Sequence, residues 1–336
     1  MWSDDDIKFM SAALDIAIRG KGKVSPNPLV GCVLVKDGHI IAEGWHDHLG
    51  GLHAEQMAIH DAETKGESPN GATAYVTLEP CNHFGRTPPC TEALMWAGVK
   101  SVIVAHTDPN PTVRGQGITV LQLAGVSVKY GLLESQAADQ MRPFLHWCQY
   151  RKPIVTVKMA VDCNGSVDDR SKDAGRFTSE KCLDLVHQMR AESDAILVGV
   201  ETIVRDNPSL LASRFETSKQ PLRIVIDPNA RIPPQCQVLN DGMETLVLQD
   251  DFRDLANVLN RLGDMEIQTL MVEGGPKTVK HFLDEKLVDE FFLIQSAVEH
   301  LTPYDSGINS QILTEAGLIR ADDQTWGDEI VQYWSR

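Results

Sequence analysis

Residues 72–90 read ATAYVTLEPCNHFGRTPPC, and the first half of the chain is organised around them. Ala72 to Leu78 is a short β-rich run that predicts a strand. It stops at Glu79-Pro80-Cys81, because proline cannot donate to a sheet ladder. A second Pro-Cys pair opens a helix expected over Pro89 to Trp96 and ended by Gly98. Val99 to Ala105 then reads as the next strand. Upstream, His53 to Thr64 is a helix candidate that begins with His53-Ala54-Glu55. Before it, Leu29 to Val35 and His39 to Trp45 read as two strands joined by Asp37-Gly38, a strong hairpin signal. Residues 4–19 place Ile7, Met10, Ala13, Leu14, Ile16 and Ala17 at helical spacing ahead of Gly20. This alternation predicts a three-layer α/β domain with a mixed sheet, its site lying where helices begin beside strand ends.

His53, Cys81 and Cys90 offer one imidazole and two thiolates, a donor set that suits zinc, and three protein ligands leave a fourth tetrahedral position for water. Bound zinc lowers the pKa of water from about 15.7 toward about 7. Glu55, two residues beyond His53 at the helix start, is placed to take the water proton and pass it to a ring nitrogen and then to departing ammonia. The chemistry so assembled is hydrolytic deamination. A structural zinc knot would call for a fourth ligand, and His83 is the candidate. The remaining cysteines, Cys32, Cys148, Cys163, Cys182 and Cys236, have no such context and read as structural.

Composition bounds the alternatives. The chain has 336 residues, a length that fits about two domains. Its net charge of −16 disfavours a nucleic-acid partner through long-range repulsion of polyphosphate, while local Arg and Lys still permit a small phosphorylated metabolite. The opening MWSDDDIKFM does not read as a secretory signal and no apolar run is long enough to span a bilayer. Seven cysteines scattered over a long chain do not form a disulfide framework. The expected location is therefore cytoplasmic, with no membrane partner.

The pattern restarts near Tyr150-Arg151-Lys152-Pro153, which places a domain boundary there: a first domain over 1–150 and a second over 151–336. Strands are expected at Ile154 to Val161, Ala195 to Val200, Leu222 to Ile226, Thr245 to Leu248, Thr269 to Val272 and Asp289 to Gln295. Helices are expected from about Ser179 to Arg190 and Pro276 to Leu283. Glu273-Gly274-Gly275 lies between a strand and a helix, where glycines let a pyrophosphate approach a helix N-terminus. Taken alone, the same pair of glycines also fits a simple connecting turn.

The strings SPNPLVGCVLVKDG at 25–38, TLEPCNHFGRTPPC at 77–90, DPNP at 108–111 and AILVGVETIVRDNPSL at 195–210 resemble the RibD family of bifunctional riboflavin-pathway enzymes, from about Asp6 onward and in the same domain order. The resemblance implies a cytidine-deaminase-like N-terminal domain and a dihydrofolate-reductase-like α/β C-terminal domain. It implies zinc-dependent deamination of 2,5-diamino-6-(5-phosphoribosylamino)pyrimidin-4(3H)-one, then NADPH-dependent reduction of the ribosyl chain, in a homodimer. By the same resemblance Asn27, His46, Arg86, Asp108 and Asn110 line the deaminase pocket. Ala160, Arg176, Thr202, Asp206 and Gly275 lie at the NADPH cofactor, and Ala174, Arg190, Leu210, Arg214 and Glu273 at the reductase substrate, with Arg190 on its phosphate. Three stretches depart from the family pattern: Asp162-Cys163-Asn164-Gly165, Asp173 to Thr178, and Gln295 to Ser306, where a glycine-rich segment is missing. Two readings of the second half follow, a working reductase or a non-catalytic reductase-like domain, and pyridine-nucleotide binding separates them.

Overall fold

The computed structural model describes residues 2–83, 88–110, 116–170, 175–215, 217, 219–249 and 254–336. The chain forms two compact units, Met1–Tyr150 and Arg151–Arg336. In the first, the elements are α1 (Asp4–Ala17), β1 (Gly31–Lys36), β2 (His39–Trp45), α2 (Ala54–Thr64), β3 (Thr73–Leu78), α3 (Cys90–Trp96), β4 (Ser101–His106), α4 (Gln116–Leu123), β5 (Ser127–Tyr130), α5 (Glu134–Gln140) and α6 (Arg142–Tyr150).

The sheet order is β2-β1-β3-β4-β5. β1 runs antiparallel to β2 and β3, and β3, β4 and β5 run parallel, so the sheet is mixed as the sequence predicts. Period-two alternation explains its three layers. Val33, Val35, Tyr75, Ile103 and Ala105 meet Phe9, Met10, Ala13 and Leu14 of α1 with Ala137 of α5 and Phe144 of α6. Cys32, Leu34, Ala74, Val76, Val102 and Val104 meet Ala54, Ala58 and Ala62 of α2, Leu94 of α3 and Leu121 of α4. The β1–β2 turn is built on Asp37 and Gly38, both at positive φ, the backbone that an Asp-Gly hairpin requires. A Cβ on Gly44 would stand 2.2 Å from the Ala54 carbonyl oxygen. Glycine in β2 and the alanine face of α2 therefore let the helix start lie directly on the sheet.

The second unit contains β6 (Ile154–Val161), β7 (Ser166–Asp169), α7 (Glu180–Glu192), β8 (Ala195–Gly199), α8 (Val200–Asp206), β9 (Leu222–Ile226), α9 (Gln237–Asn240), β10 (Thr245–Leu248), α10 (Leu255–Asp264), β11 (Thr269–Val272), α11 (Pro276–Asp284), β12 (Glu290–Gln295), β13 (Pro303–Asp305), α12 (Ser310–Glu315), β14 (Ile319–Arg320), β15 (Gln324–Trp326) and β16 (Glu329–Ser335). Its main sheet has the order β10-β9-β8-β11-β6-β12-β16-β14, with β15 on β16. The six strands from β10 to β12 are parallel, and β16 turns antiparallel to β12. One face packs on α10, α11 and Leu313 of α12. The other packs on α7 and, beside it, on α8 and α9. No helix among the described residues is long and apolar enough to cross a membrane.

Several boundaries differ from the sequence reading. The opening helix ends at Ala17 and tightens into a 3-10 turn over Ile18–Gly20. Val200 belongs to α8 rather than to the strand, because Gly199 is the extended residue that caps the helix. Asp289 precedes β12, and its carboxylate accepts the Val155 amide at 2.8 Å. Pro89 is the cap of α3 and not its first turn.

Candidate active sites

In the first unit, three donors converge from separate elements. His53 caps α2, Cys81 follows β3, and Cys90 opens α3. His53 Nδ1 lies 3.6 Å from Cys81 Sγ and 3.3 Å from Cys90 Sγ, and the three ligand atoms all fall within 4.8 Å of one another. A tetrahedral zinc with Zn–N of about 2.0–2.1 Å and Zn–S of about 2.3 Å separates a ligating nitrogen and sulfur by about 3.6 Å. The donor set and its spacing therefore fit that ion. His83 is not among the ligand atoms that converge among the described residues.

Cys90 stands at a helix N-terminus, and its amide donates to Cys81 Sγ at 3.4 Å. Both features favour a thiolate. The neighbouring Cys90 thiol and then the His53 imidazole draw the Cys81 thiol down to about 4, against the opposing effect of burial. The same Cys81 contact, together with burial, pushes Cys90 well up. Glu55 is buried, at 3% exposure, and burial followed by the adjacent Cys81 pushes its carboxyl up to about 7. A carboxyl near that value can both give and take a proton at neutral pH.

His46 and Asn27 are brought to the same place. The His46 ring meets the His53 ring edge-on at 5.4 Å. Its Nδ1–H donates to the Leu52 carbonyl at 2.9 Å, which leaves Nε2 to accept from Asn27 Nδ2 at 3.0 Å. Burial lowers the His46 pKa, in keeping with a ring that donates at one nitrogen and accepts at the other. Asp108 is buried; burial, Glu79 and Cys81 together outweigh the opposing Asn110 amide and push its carboxyl up to about 6. Its Oδ1 accepts the Asn110 amide at 2.8 Å. Arg86 lies outside the described residues.

In the second unit, Lys158 shares a strand face with Ala160, one period of two apart. Arg190 comes from the last turn of α7, and Glu273 directly follows β11. Arg190 Nε and a terminal nitrogen grip Glu273 at 2.6 and 2.9 Å, and Lys158 Nζ lies 3.1 Å from the same carboxylate. Burial works against the charge on Glu273, but Lys158 and Arg190 outweigh it and hold the carboxyl well below its ordinary range. Arg190 also donates to the Leu211 carbonyl at 3.4 Å, beside the buried Leu210, which takes a left-handed backbone at φ 59°.

The other expected residues spread over this half. Ala160 lies on β6 and packs among residues of the α7 face. Thr202 and Asp206 lie on α8, with Asp206 exposed in its last position. Gly275 caps α11 ahead of Pro276, and a Cβ there would meet nothing within 4 Å. That open backbone at a helix start fits an approaching pyrophosphate. Arg214 pairs with Asp184 at 2.6 Å and with Glu180, and Arg176 shares Glu180; the structure puts this pair of arginines on the α7 carboxylates. Ala174 lies outside the described residues. Of the departing stretches, Asp162 turns its carboxylate to the amides of Asn164, Ser166 and His300, and the segment that replaces the glycine-rich run pairs as β13 with β7.

A His-Cys-Cys cluster at metal-binding spacing beside a buried carboxylate on one α/β unit, followed by a second α/β unit built on a mostly parallel sheet, fits a two-domain enzyme whose first half is deaminase-like. Residues 3–106 match the model of the cytidine and deoxycytidylate deaminase zinc-binding region, and residues 153–298 match that of the RibD C-terminal domain. The riboflavin biosynthesis protein RibD of Aquifex aeolicus is 37% identical, with 98% of each chain covered. That of Escherichia coli is 37% identical over 86% of each. The crystal structure of a diaminohydroxyphosphoribosylaminopyrimidine deaminase/5-amino-6-(5-phosphoribosylamino)uracil reductase from Thermotoga maritima superposes with a TM-score of 0.88 at 32% identity and 98% coverage of both chains. The chain belongs to the RibD family, the bifunctional deaminase/reductases of riboflavin biosynthesis.

Sequence reasoning passed over Glu79. It is buried, at 3% exposure, and accepts the amides of Asp108 and Ile118. The available signal was a lone acid directly between an apolar strand and the Pro-Cys pair. Lys158 carries no such local signal, and the alternation of β6 explains its direction.

Proposed function

We propose that the chain deaminates 2,5-diamino-6-(5-phosphoribosylamino)pyrimidin-4(3H)-one over residues 1–150 and reduces the ribosyl chain of the product over residues 151–336, giving 5-amino-6-(5-phosphoribitylamino)uracil. The observation that carries this reading is the convergence of His53, Cys81 and Cys90 at zinc spacing beside the buried Glu55. His53, Cys81 and Cys90 would hold zinc, whose Lewis acidity would lower the pKa of water at the site. Glu55 would accept one proton from water and deliver it to the ring nitrogen beside the amine-bearing carbon, then take the proton of the hydroxyl left on that carbon and pass it to the departing ammonia. Asn27 and His46 orient the substrate, and Arg86, Asp108 and Asn110 complete the pocket.

In the second half NADPH supplies the hydride. Ala160, Arg176, Thr202, Asp206 and Gly275 hold the cofactor, and Ala174, Arg190, Leu210, Arg214 and Glu273 bind the substrate. One anion between two cations leaves the Lys158–Arg190–Glu273 group with a net positive charge, which suits a phosphate ester. A cytoplasmic setting and a homodimer are part of the same proposal, the dimer to be tested by sedimentation.

The deciding experiment follows ammonia release from zinc-loaded protein given the diaminopyrimidine ribosylamine phosphate, then NADPH oxidation on the same sample. Ammonia that disappears in Glu55→Gln, followed by NADPH oxidation, is the expected result. No ammonia from the zinc-loaded protein overturns the substrate assignment, and ammonia without NADPH oxidation overturns the second activity.

A further inference from the structure

Glu79 divides its carboxylate between two segments that are distant in sequence. Oε2 accepts the Asp108 amide at 3.1 Å and Oε1 accepts the Ile118 amide at 3.2 Å. Its own amide donates to the His106 carbonyl at 2.9 Å, which extends the β3–β4 ladder by one rung beyond β3. The start of α4 is pressed onto the next residue: a Cβ on Gly117 would stand 1.9 Å from the Pro80 carbonyl oxygen. From Asp108 the chain of bonds continues, since Asp108 Oδ1 takes the Asn110 amide at 2.8 Å. A plain cap for α4 accounts for the Ile118 bond but not for the Asp108 bond.

We propose that Glu79 is a positioning residue of the deaminase site. Its carboxylate ties the Asp108–Asn110 turn, and with it the substrate side of the pocket, to the end of β3 from which Cys81 projects. Glu79 acts through these backbone amides and does not touch the substrate. This rests on the deaminase reading above, in which Asp108 and Asn110 line the pocket. Glutamine is the informative replacement. Its NH2 cannot accept, so one of the two backbone donors loses its partner and faces another donor, while volume is conserved.

The test uses the full-length, zinc-loaded chain, whose second activity serves as an internal control for folding. For Glu79→Gln the expected result is full zinc content, unchanged NADPH oxidation, a KM for the deaminase step raised about tenfold or more with kcat less affected, and faster hydrogen exchange at the Asp108 and Ile118 amides. Glu79→Asp, which keeps two acceptor oxygens on a shorter stem, is expected to lie between glutamine and the parent. An unchanged KM overturns the proposal. So does loss of zinc, or a parallel fall in both activities, because either would make Glu79 a metal-site or folding residue. If the parent protein released no ammonia, the deaminase reading would fall by itself. The exchange rates of Asp108 and Ile118 would then still decide the inference: no acceleration in Glu79→Gln overturns it.

Discussion

The two candidate sites are built on opposite charge plans. Around His53 gather two thiols and the Glu55 carboxyl, groups that become negative on losing a proton. Around Glu273, the buried groups are two cations on one anion, already paired at 2.6–3.1 Å. The first group is therefore incomplete without a positive partner, whereas the second is nearly self-sufficient and carries a surplus that suits an anion. What each half requires from outside follows from the charge it leaves over.

The sharpest way to break this contrast is to remove one donor from the first site. Cys90→Ser is expected to reduce bound zinc from near stoichiometric to background and to abolish ammonia release while NADPH oxidation persists; metal analysis and the two assays on one sample check it. Retained zinc would show that the triad is not what holds the ion. Next comes Glu55→Gln, expected to lower the deaminase kcat by about 10²–10⁴-fold with zinc kept, as steady-state ammonia release would report. A drop of less than tenfold would take proton transfer away from Glu55.

In the second site, Glu273→Gln leaves Arg190 and Lys158 without their counter-ion. Breaking such a buried pair costs about 3–5 kcal/mol, so urea unfolding of the second unit is expected at a lower midpoint, with NADPH oxidation lost and ammonia release unchanged. The pH dependence has a definite sign. Because the folded carboxyl is held below its ordinary value of 4.5, its stabilisation is complete above that pH and is lost as pH falls toward the folded value. Unfolding midpoints between pH 5 and pH 3, about that range by linkage, are expected to fall more steeply for the parent than for Glu273→Gln. Equal slopes would mean that the carboxylate is not held down by its two cations. The smallest effect is expected away from both sites. Ser3 caps α1 and exchanges bonds with Asp6, so Ser3→Ala is expected to cost about 1 kcal/mol and to leave both activities intact, by thermal melting and the same assays.

Much of the first unit could be read from residue order because its signals are local. The Asp37-Gly38 turn, the alternation in β1, β3 and β4, and the Pro-Cys junctions each act within a few residues, so elements and ligand types were visible without tertiary information. The second unit was less legible. Its long strands were evident from apolar runs, yet the pairing of β13 with β7 and of β16 with β12 depends on partners far along the chain. The surface arginines show the same limit. Arg214 meets Glu180 and Asp184 of α7 from 30 or more residues along the chain, which no spacing rule could indicate, whereas Arg176 meets Glu180 at i,i+4.

The amino-acid sequence by itself determined the donor types of His53, Cys81 and Cys90, the acid beside them, the two-unit organisation and the family, because those rest on residue chemistry and short-range backbone preference. Tertiary structure alone decided that His53 Nδ1 comes within 3.3–3.6 Å of both thiols, that Lys158 and Arg190 close on one carboxylate, and that Glu79 reaches Asp108 and Ile118. Distances between such remote residues are set by how sheets and helices pack. Burial then raises Glu55 through desolvation, while two cations hold Glu273 down against the same effect, neither of which a linear string of residues expresses.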